Sequence, residues 1–140
     1  MEPRVDLISL GVRSVGASRS FYVNGLGWPV LREVRDEVLF LQANHGLILS
    51  LWDAGQMQAE AATDPPAGIP TITLSHNLGS AAEVERVMAE AESAGATIIA
   101  TPRNQPWGGY TGYFADPDGY RWEVAFNPSW TVGGDGKVTL

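Results

Sequence analysis

In a chain of 140 residues without a cysteine, the side chain best placed to do chemistry is the carboxylate of Glu123. It lies in Tyr113-Phe114-Ala115-Asp116-Pro117-Asp118-Gly119-Tyr120-Arg121-Trp122-Glu123-Val124-Ala125-Phe126, which reads as a hairpin. Pro117 fixes φ for a turn, Asp118 can bond its own backbone, and Gly119 accepts a positive φ, so strand pairing resumes just past Gly119. Period-two alternation then puts Trp122, Val124 and Phe126 on one face and Arg121, Glu123 and Ala125 on the other. The second face has too little side-chain volume for a packed core and reads as cavity lining. The plainer alternative is a solvent-facing glutamate on a half-buried strand. Inside a cavity the carboxylate needs bonds from serine, threonine or an arginine such as Arg13 or Arg121 to offset its desolvation. Two roles are open to it there: anchor for a cationic or hydrogen-bond-donating ligand, or general base toward a C–H or O–H acid.

Other chemistry finds less support. The chain has two histidines. His45 falls in the turn Asn44-His45-Gly46, where exposure is the default. His76 alternates with Ile72 and Leu74, which puts it on a helix-packing face or at a frayed strand end. Both read as structural rather than as metal ligands. No Ser, His and Asp set has suggestive spacing, and the glycines form neither a dinucleotide-binding nor a P-loop pattern. A net charge of -7, with nine Lys and Arg scattered along the chain, argues against nucleic acid or an anionic membrane as partner. The charged start Met1-Glu2-Pro3-Arg4-Val5-Asp6 lacks an apolar leader core and no run reaches membrane-spanning length, so a soluble, cytoplasmic protein is expected.

The elements that must position Glu123 recur. A strand at about 5–12 alternates Ile8, Leu10 and Val12 with Leu7, Ser9 and Gly11. Ser14 can cap a helix over about 16–24, stopped by Gly25, Gly27 and Pro29, and strands follow at about 30–34, 37–43 and 46–52. Residues 53–69 include Pro65-Pro66 and little apolar periodicity, and read as a linker. The order then repeats with a strand at about 70–78, a helix at about 81–94 and strands at about 97–101, 112–115 and 120–126. The helix puts Val84, Val87, Met88 and Ala91 on one side and Gly95 at its stop. A Gly-Asp-Gly turn in the last ten residues predicts a short terminal hairpin or arm at about 128–140, with Trp130 packing back on the domain or on a dimer mate. The fold class is therefore α+β: one domain of two tandem βαβββ modules, at about 5–52 and 70–127, forming a curved mixed sheet around a cavity with helices outside.

Phe21-Tyr22 ahead of Gly25-Leu26-Gly27-Trp28, the helix end Ala94-Gly95-Ala96, and Phe114-Ala115-Asp116-Pro117-Asp118-Gly119 leading to Trp122-Glu123 resemble the vicinal oxygen chelate superfamily. This superfamily includes glyoxalase I, extradiol dioxygenases, and the fosfomycin and bleomycin resistance proteins. The resemblance implies paired modules, often in a homodimer, with a cup-shaped cavity between them. It also implies, in metal-dependent members, ligands at places that fall here on Leu7, Ser50, Thr73 and Glu123. Leu7 has no lone pair and the hydroxyls of Ser50 and Thr73 are weak ligands, so Glu123 alone matches and no metal or other cofactor is expected. Ser9 and Ser75, joining through water, are the residual route to a divalent metal.

The cup is then lined by Leu7, Ser9, Ser50, Trp52, Thr73, Ser75, Glu123 and Ala125. Pro106-Trp107-Gly108-Gly109-Tyr110-Thr111-Gly112-Tyr113 lies over its mouth, either as a lid that offers Trp107 and Tyr110 to a ligand or as a tight turn at Gly108 and Gly109. Three functions compete. The first is a metal-free protein that binds a small aromatic or amphipathic molecule, with Glu123 as the candidate catalytic or anchoring group. The second is a metal-dependent lyase, isomerase or dioxygenase. The third is an interaction module whose cup is filled by its own side chains.

Overall fold

Leu10 and Val12 face one side of the first strand and Leu7, Ser9 and Gly11 the other, and this alternation organises the first half of the chain. The computed structural model describes residues 5–44, 46–61 and 72–140. The chain divides by its contacts into two compact units, Met1–Gly68 and Ile69–Leu140.

In the first unit β1 (Leu7–Val12) pairs parallel with β4 (Ile48–Asp53), which pairs antiparallel with β3 (Val38–Gln42), itself antiparallel to β2 (Val30–Val34). The sheet order is β1-β4-β3-β2. Register brings Leu10, Leu51 and Leu39 together, and these are buried with Val12, Leu41 and Leu49 under Val15, Phe21 and Tyr22. Ser14 caps α1 (Val15–Arg19) by accepting from the Ala17 amide at 3.2 Å. The helix continues as a π-helical segment, Ser20–Gly25, whose wide turn shows in the bond from the Leu26 amide to the Phe21 carbonyl at 2.9 Å. Phe21 and Tyr22 meet edge to face with centroids 4.9 Å apart, and Trp28 closes on Tyr22 at 5.6 Å.

The stretch expected as a linker from Asp53 instead begins as a helix, α2 (Ala54–Ala61). Its residues are good helix formers, and Asp53 Oδ1 accepts from the Gln56 amide at 3.0 Å, the bond that starts a helix. Residues 62–71, including Pro65, Pro66 and the expected start of the next strand, lie outside the described residues, as does His45.

The second unit repeats the plan: β5 (Thr73–Leu78), α3 (Ala81–Ser93), β6 (Thr97–Asn104), β7 (Tyr110–Ala115) and β8 (Arg121–Phe126), in the order β5-β8-β7-β6. Ser80 caps α3: its hydroxyl accepts from the Glu83 amide at 3.3 Å and donates to the Glu83 carboxylate at 3.0 Å. Val84, Met88 and Ala91 of α3 are buried against the sheet. At Gly112 of β7 a Cβ would stand 3.0–3.2 Å from Pro102 and Met88, so the helix comes close only because no side chain intervenes. The tail forms the expected hairpin, β9 (Thr131–Val132) against β10 (Val138–Thr139). The fold is thus α+β, with two four-stranded mixed sheets of matching order.

Candidate functional site

Glu123 occupies β8, flanked on both sides by neighbours in the sheet, and register sets Ser75 of β5 and Tyr113 of β7 directly beside it. Ser75 Oγ donates to Glu123 Oε2 at 3.0 Å and the Tyr113 hydroxyl donates to Oε1 at 2.5 Å. Both carboxylate oxygens are therefore engaged by neutral hydroxyls. A carboxylate oxygen accepts well from a hydroxyl, and two such bonds fix the plane of the group. The tyrosine bond, followed by desolvation and the carboxylate's charge, pushes the Tyr113 pKa from 10.0 up to about 12. Tyr113 thus remains a protonated donor throughout the physiological range.

The ladder extends along the same face. Thr73 lies beside Arg121 one step toward the start of β8, and Ala125 beside Thr111 toward its end. Thr111 is buried and accepts from Gln105 Nε2 at 2.7 Å. The opposite face is packing: Trp122 stacks on Phe114 with centroids 6.1 Å apart, Val124 is fully buried, and α3 lies over Gly112. His76 also belongs to that face, with loss of solvation and the positive charge of Arg86 on α3 lowering its pKa.

The expected aromatic loop is shorter than its sequence suggested, because Tyr110 to Tyr113 are strand. The turn is tight: the Gln105 amide donates to the Gly109 carbonyl at 2.8 Å, the Gly108 amide to the Gln105 carbonyl at 2.9 Å, and Gly108 takes φ +94°. Trp107 stands at its tip, 55% exposed, with its ring over Gly109, where a Cβ would fall 1.8 Å from ring carbons. Tyr110 turns the other way and its hydroxyl donates to Glu85 of α3, which raises its pKa. It stands on the helix side of the sheet, apart from Glu123.

In the first unit, Ser9 lies directly beside Ser50, and Trp52 beside Gly11, on the face away from Leu10 and Val12. Leu7 is partly exposed and Ser50 is buried. Position 11 on this face is covered by α2, since a Cβ there would stand 3.3 Å from Met57 Sδ and 3.6 Å from Ala54. The surface expected to be open therefore carries a methionine at one end.

Of the sequence-derived set, the structure brings Ser75 and Thr73 to Glu123 and its neighbour Arg121, and pairs Ser9 with Ser50. Tyr113 was missed as a partner for Glu123. Counting outward from the Asp116–Gly119 turn, where Ala115 pairs Arg121, would have found it, because the next inward-facing pair is Tyr113 with Glu123. Among the described residues no group of three or more His, Cys, Asp or Glu side chains is gathered to hold a metal ion. Among Leu7, Ser50, Thr73 and Glu123 only the carboxylate is a good donor type for a divalent transition metal, so this set does not fit one.

Residues 4–124 match the Glyoxalase/Bleomycin resistance protein/Dioxygenase superfamily. The chain belongs to that superfamily. Among solved structures, a glyoxalase-related enzyme from Fulvimarina pelagi is 35% identical, with a TM-score of 0.89 over 99% of this chain and 98% of its own. A glyoxalase/bleomycin resistance protein/dioxygenase from Nocardioides is 24% identical, with a TM-score of 0.76 over 100% and 91%. A lactoylglutathione lyase from Agrobacterium tumefaciens, 20% identical, shares the fold at a TM-score of 0.67 over 89% and 94%. No curated protein matches the chain. Proteins described by such different activities share this fold, so the fold alone does not give the activity, and Glu123 with its neighbours carries the chemistry. No helix among the described residues is long and apolar enough to cross a membrane.

Proposed function

We propose that this superfamily member binds a small aromatic or amphipathic molecule without a metal, holding a cationic or hydrogen-bond-donating group of the ligand at Glu123. The observation that carries the reading is the pair of bonds from Ser75 and Tyr113, which hold the carboxylate by both oxygens in a fixed orientation. A carboxylate offers about four lone-pair sites, so roughly two remain for a ligand. The two groups bonded to the carboxylate are neutral hydroxyls, so neither offsets its negative charge, which favours a positive partner. Trp107, largely exposed at the hairpin tip, supplies an aromatic face of the kind that binds flat rings. The setting we infer is a homodimer in the cytoplasm, the dimer on the family resemblance alone.

A second reading is favoured by the 35% identical structure described as a glyoxalase-related enzyme. In that case Glu123 takes a proton from a C–H or O–H acid, and Tyr113 orients the carboxylate while remaining protonated.

Elemental analysis of the purified protein and titration with nickel, zinc, manganese and ferrous iron divide these readings from a metal enzyme. No specific metal is expected, and Glu123→Gln should fold normally while weakening cationic ligands in a thermal-shift screen. Near-stoichiometric metal that disappears in Glu123→Gln would overturn the proposal.

A further inference from the structure

We propose that the first unit holds a second ligand site, a cleft between α1 and the β2–β3 hairpin that takes a small monocarboxylate between Arg19 and Arg35. It is independent of Glu123. The cleft has a volume of about 510 Å³ and is lined by Val15, Gly16, Arg19, Glu33, Arg35 and Asp36. That space suits a small molecule. One wall is the exposed side of α1, and the other is the end of β2 with its turn.

The guanidinium of Arg19 is only partly satisfied. Its Nε pairs with Glu33 Oε2 at 3.3 Å, while Nη1 is buried with no hydrogen-bond partner among the described residues. A buried charged donor left unbonded is unfavourable, and native structures resolve such groups with water, an ion or a ligand. The side chain as a whole is 39% exposed, so a modest rotation about its last torsions can present the unbonded edge to the cleft. A carboxylate fits that edge because its two oxygens match the guanidinium fork.

Arg35 supplies the second cation. It is 93% exposed, and among the described residues its ion pair is a long one, 3.7 Å to Asp36, which leaves it able to close on an anion. The turn that places it reverses the chain in three residues between the paired Val34 and Val38: Asp36 takes φ +60°, which aspartate tolerates, and the Glu37 amide bonds the Val34 carbonyl at 3.0 Å. Glu33 and Asp36 set the ligand class. With two arginines and two carboxylates the lining is formally neutral, so every negative charge a ligand brings stays uncompensated, and a single charge is accommodated at less cost than two, which favours a monocarboxylate. The apolar edge of Val15 admits a short hydrocarbon part.

The test is a nitrogen-15 NMR titration of the full chain with sodium acetate, butyrate and phosphate against sodium chloride at matched ionic strength. Saturable shifts are expected at the Arg19 and Arg35 Nε–H groups and the Val15, Gly16 and Asp36 amides, larger for butyrate than for acetate and smaller for phosphate. Arg19→Gln should abolish them. Arg35→Gln, at an exposed position that folding does not depend on, should weaken binding about tenfold. Glu123→Gln should leave them unchanged, which separates this site from the ladder on β8. Carboxylate shifts no larger than those with chloride, a phosphate response exceeding butyrate, or shifts that survive both arginine substitutions would each overturn the assignment.

Discussion

At the scale of single residues, the chemistry of this chain gathers on one hydroxyl–carboxylate–hydroxyl row, Ser75, Glu123 and Tyr113. The linkage sign for Tyr113 is definite. Its folded pKa of about 12 lies above the ordinary value of 10.0, so its contribution to stability is complete below pH 10 and is lost as pH rises toward 12. Thermal melts across that alkaline window should show a steeper loss for the wild type than for Tyr113→Phe. An ultraviolet titration should show a late-ionising tyrosine that returns toward 10 in Glu123→Gln; an unchanged profile in both variants would mean that the Tyr113 bond is absent in solution. Tyr110, raised by its bond to Glu85, should keep its behaviour in both. The role of Glu123 as the notable carboxylate was legible because a turn with fixed chemistry precedes it and the strand period does the rest. Its partners were half legible: Ser75 falls on the matching face of a recognisable strand, whereas Tyr113, inside the expected strand at about 112–115, also reads as the end of the glycine-rich segment 106–113, and its register opposite Glu123 was not counted.

At the scale of elements, glycine positions and caps decide how closely the helices and the hairpin approach the sheet. Gly112→Ala forces a methyl against Met88 and Pro102 and should cost about 1–3 kcal/mol, read as a lower urea midpoint with an unchanged slope. Ser80→Ala removes both bonds of the Ser80 hydroxyl to Glu83 and should cost about 1 kcal/mol, with the loss of protection concentrated in the first turn of α3. Gly109→Ala acts locally instead. It must drive the Trp107 ring off its seat, so a change in tryptophan emission is expected with little change in overall stability, and an unaltered spectrum would contradict the contact. Strands and α3 were readable because each has one apolar side at its own period. The helix α2 was not: Ala-Gly-Gln-Met-Gln-Ala-Glu-Ala carries helix propensity without an apolar stripe, and the approach of Met57 and Ala54 to Gly11 depends on a strand more than forty residues away. The π-helical turn at Ser20–Gly25 likewise has no period of its own to read.

At the scale of the whole molecule, a repeated βαβββ plan, an acidic balance and a single noted carboxylate combine into a statement about ligand charge. A net charge of -7 creates a field that favours cations approaching from any direction, but it is diffuse, while the bond at Glu123 is local. The two contributions separate with salt. Between about 0.1 and about 1 M the screening length falls from roughly 10 to roughly 3 Å, which removes the diffuse field and largely spares a direct ion pair. Benzylamine and benzyl alcohol share a ring and differ in charge, so their affinities form a matched comparison. We expect benzylamine to bind the wild type more tightly, with part of that preference lost at high salt and the remainder lost in Glu123→Gln. If the preference vanished completely with salt, cations would be gathering on the acidic surface and the Glu123 anchor would fall; if Glu123→Gln kept the high-salt preference, the anchor would have to be sought on another carboxylate.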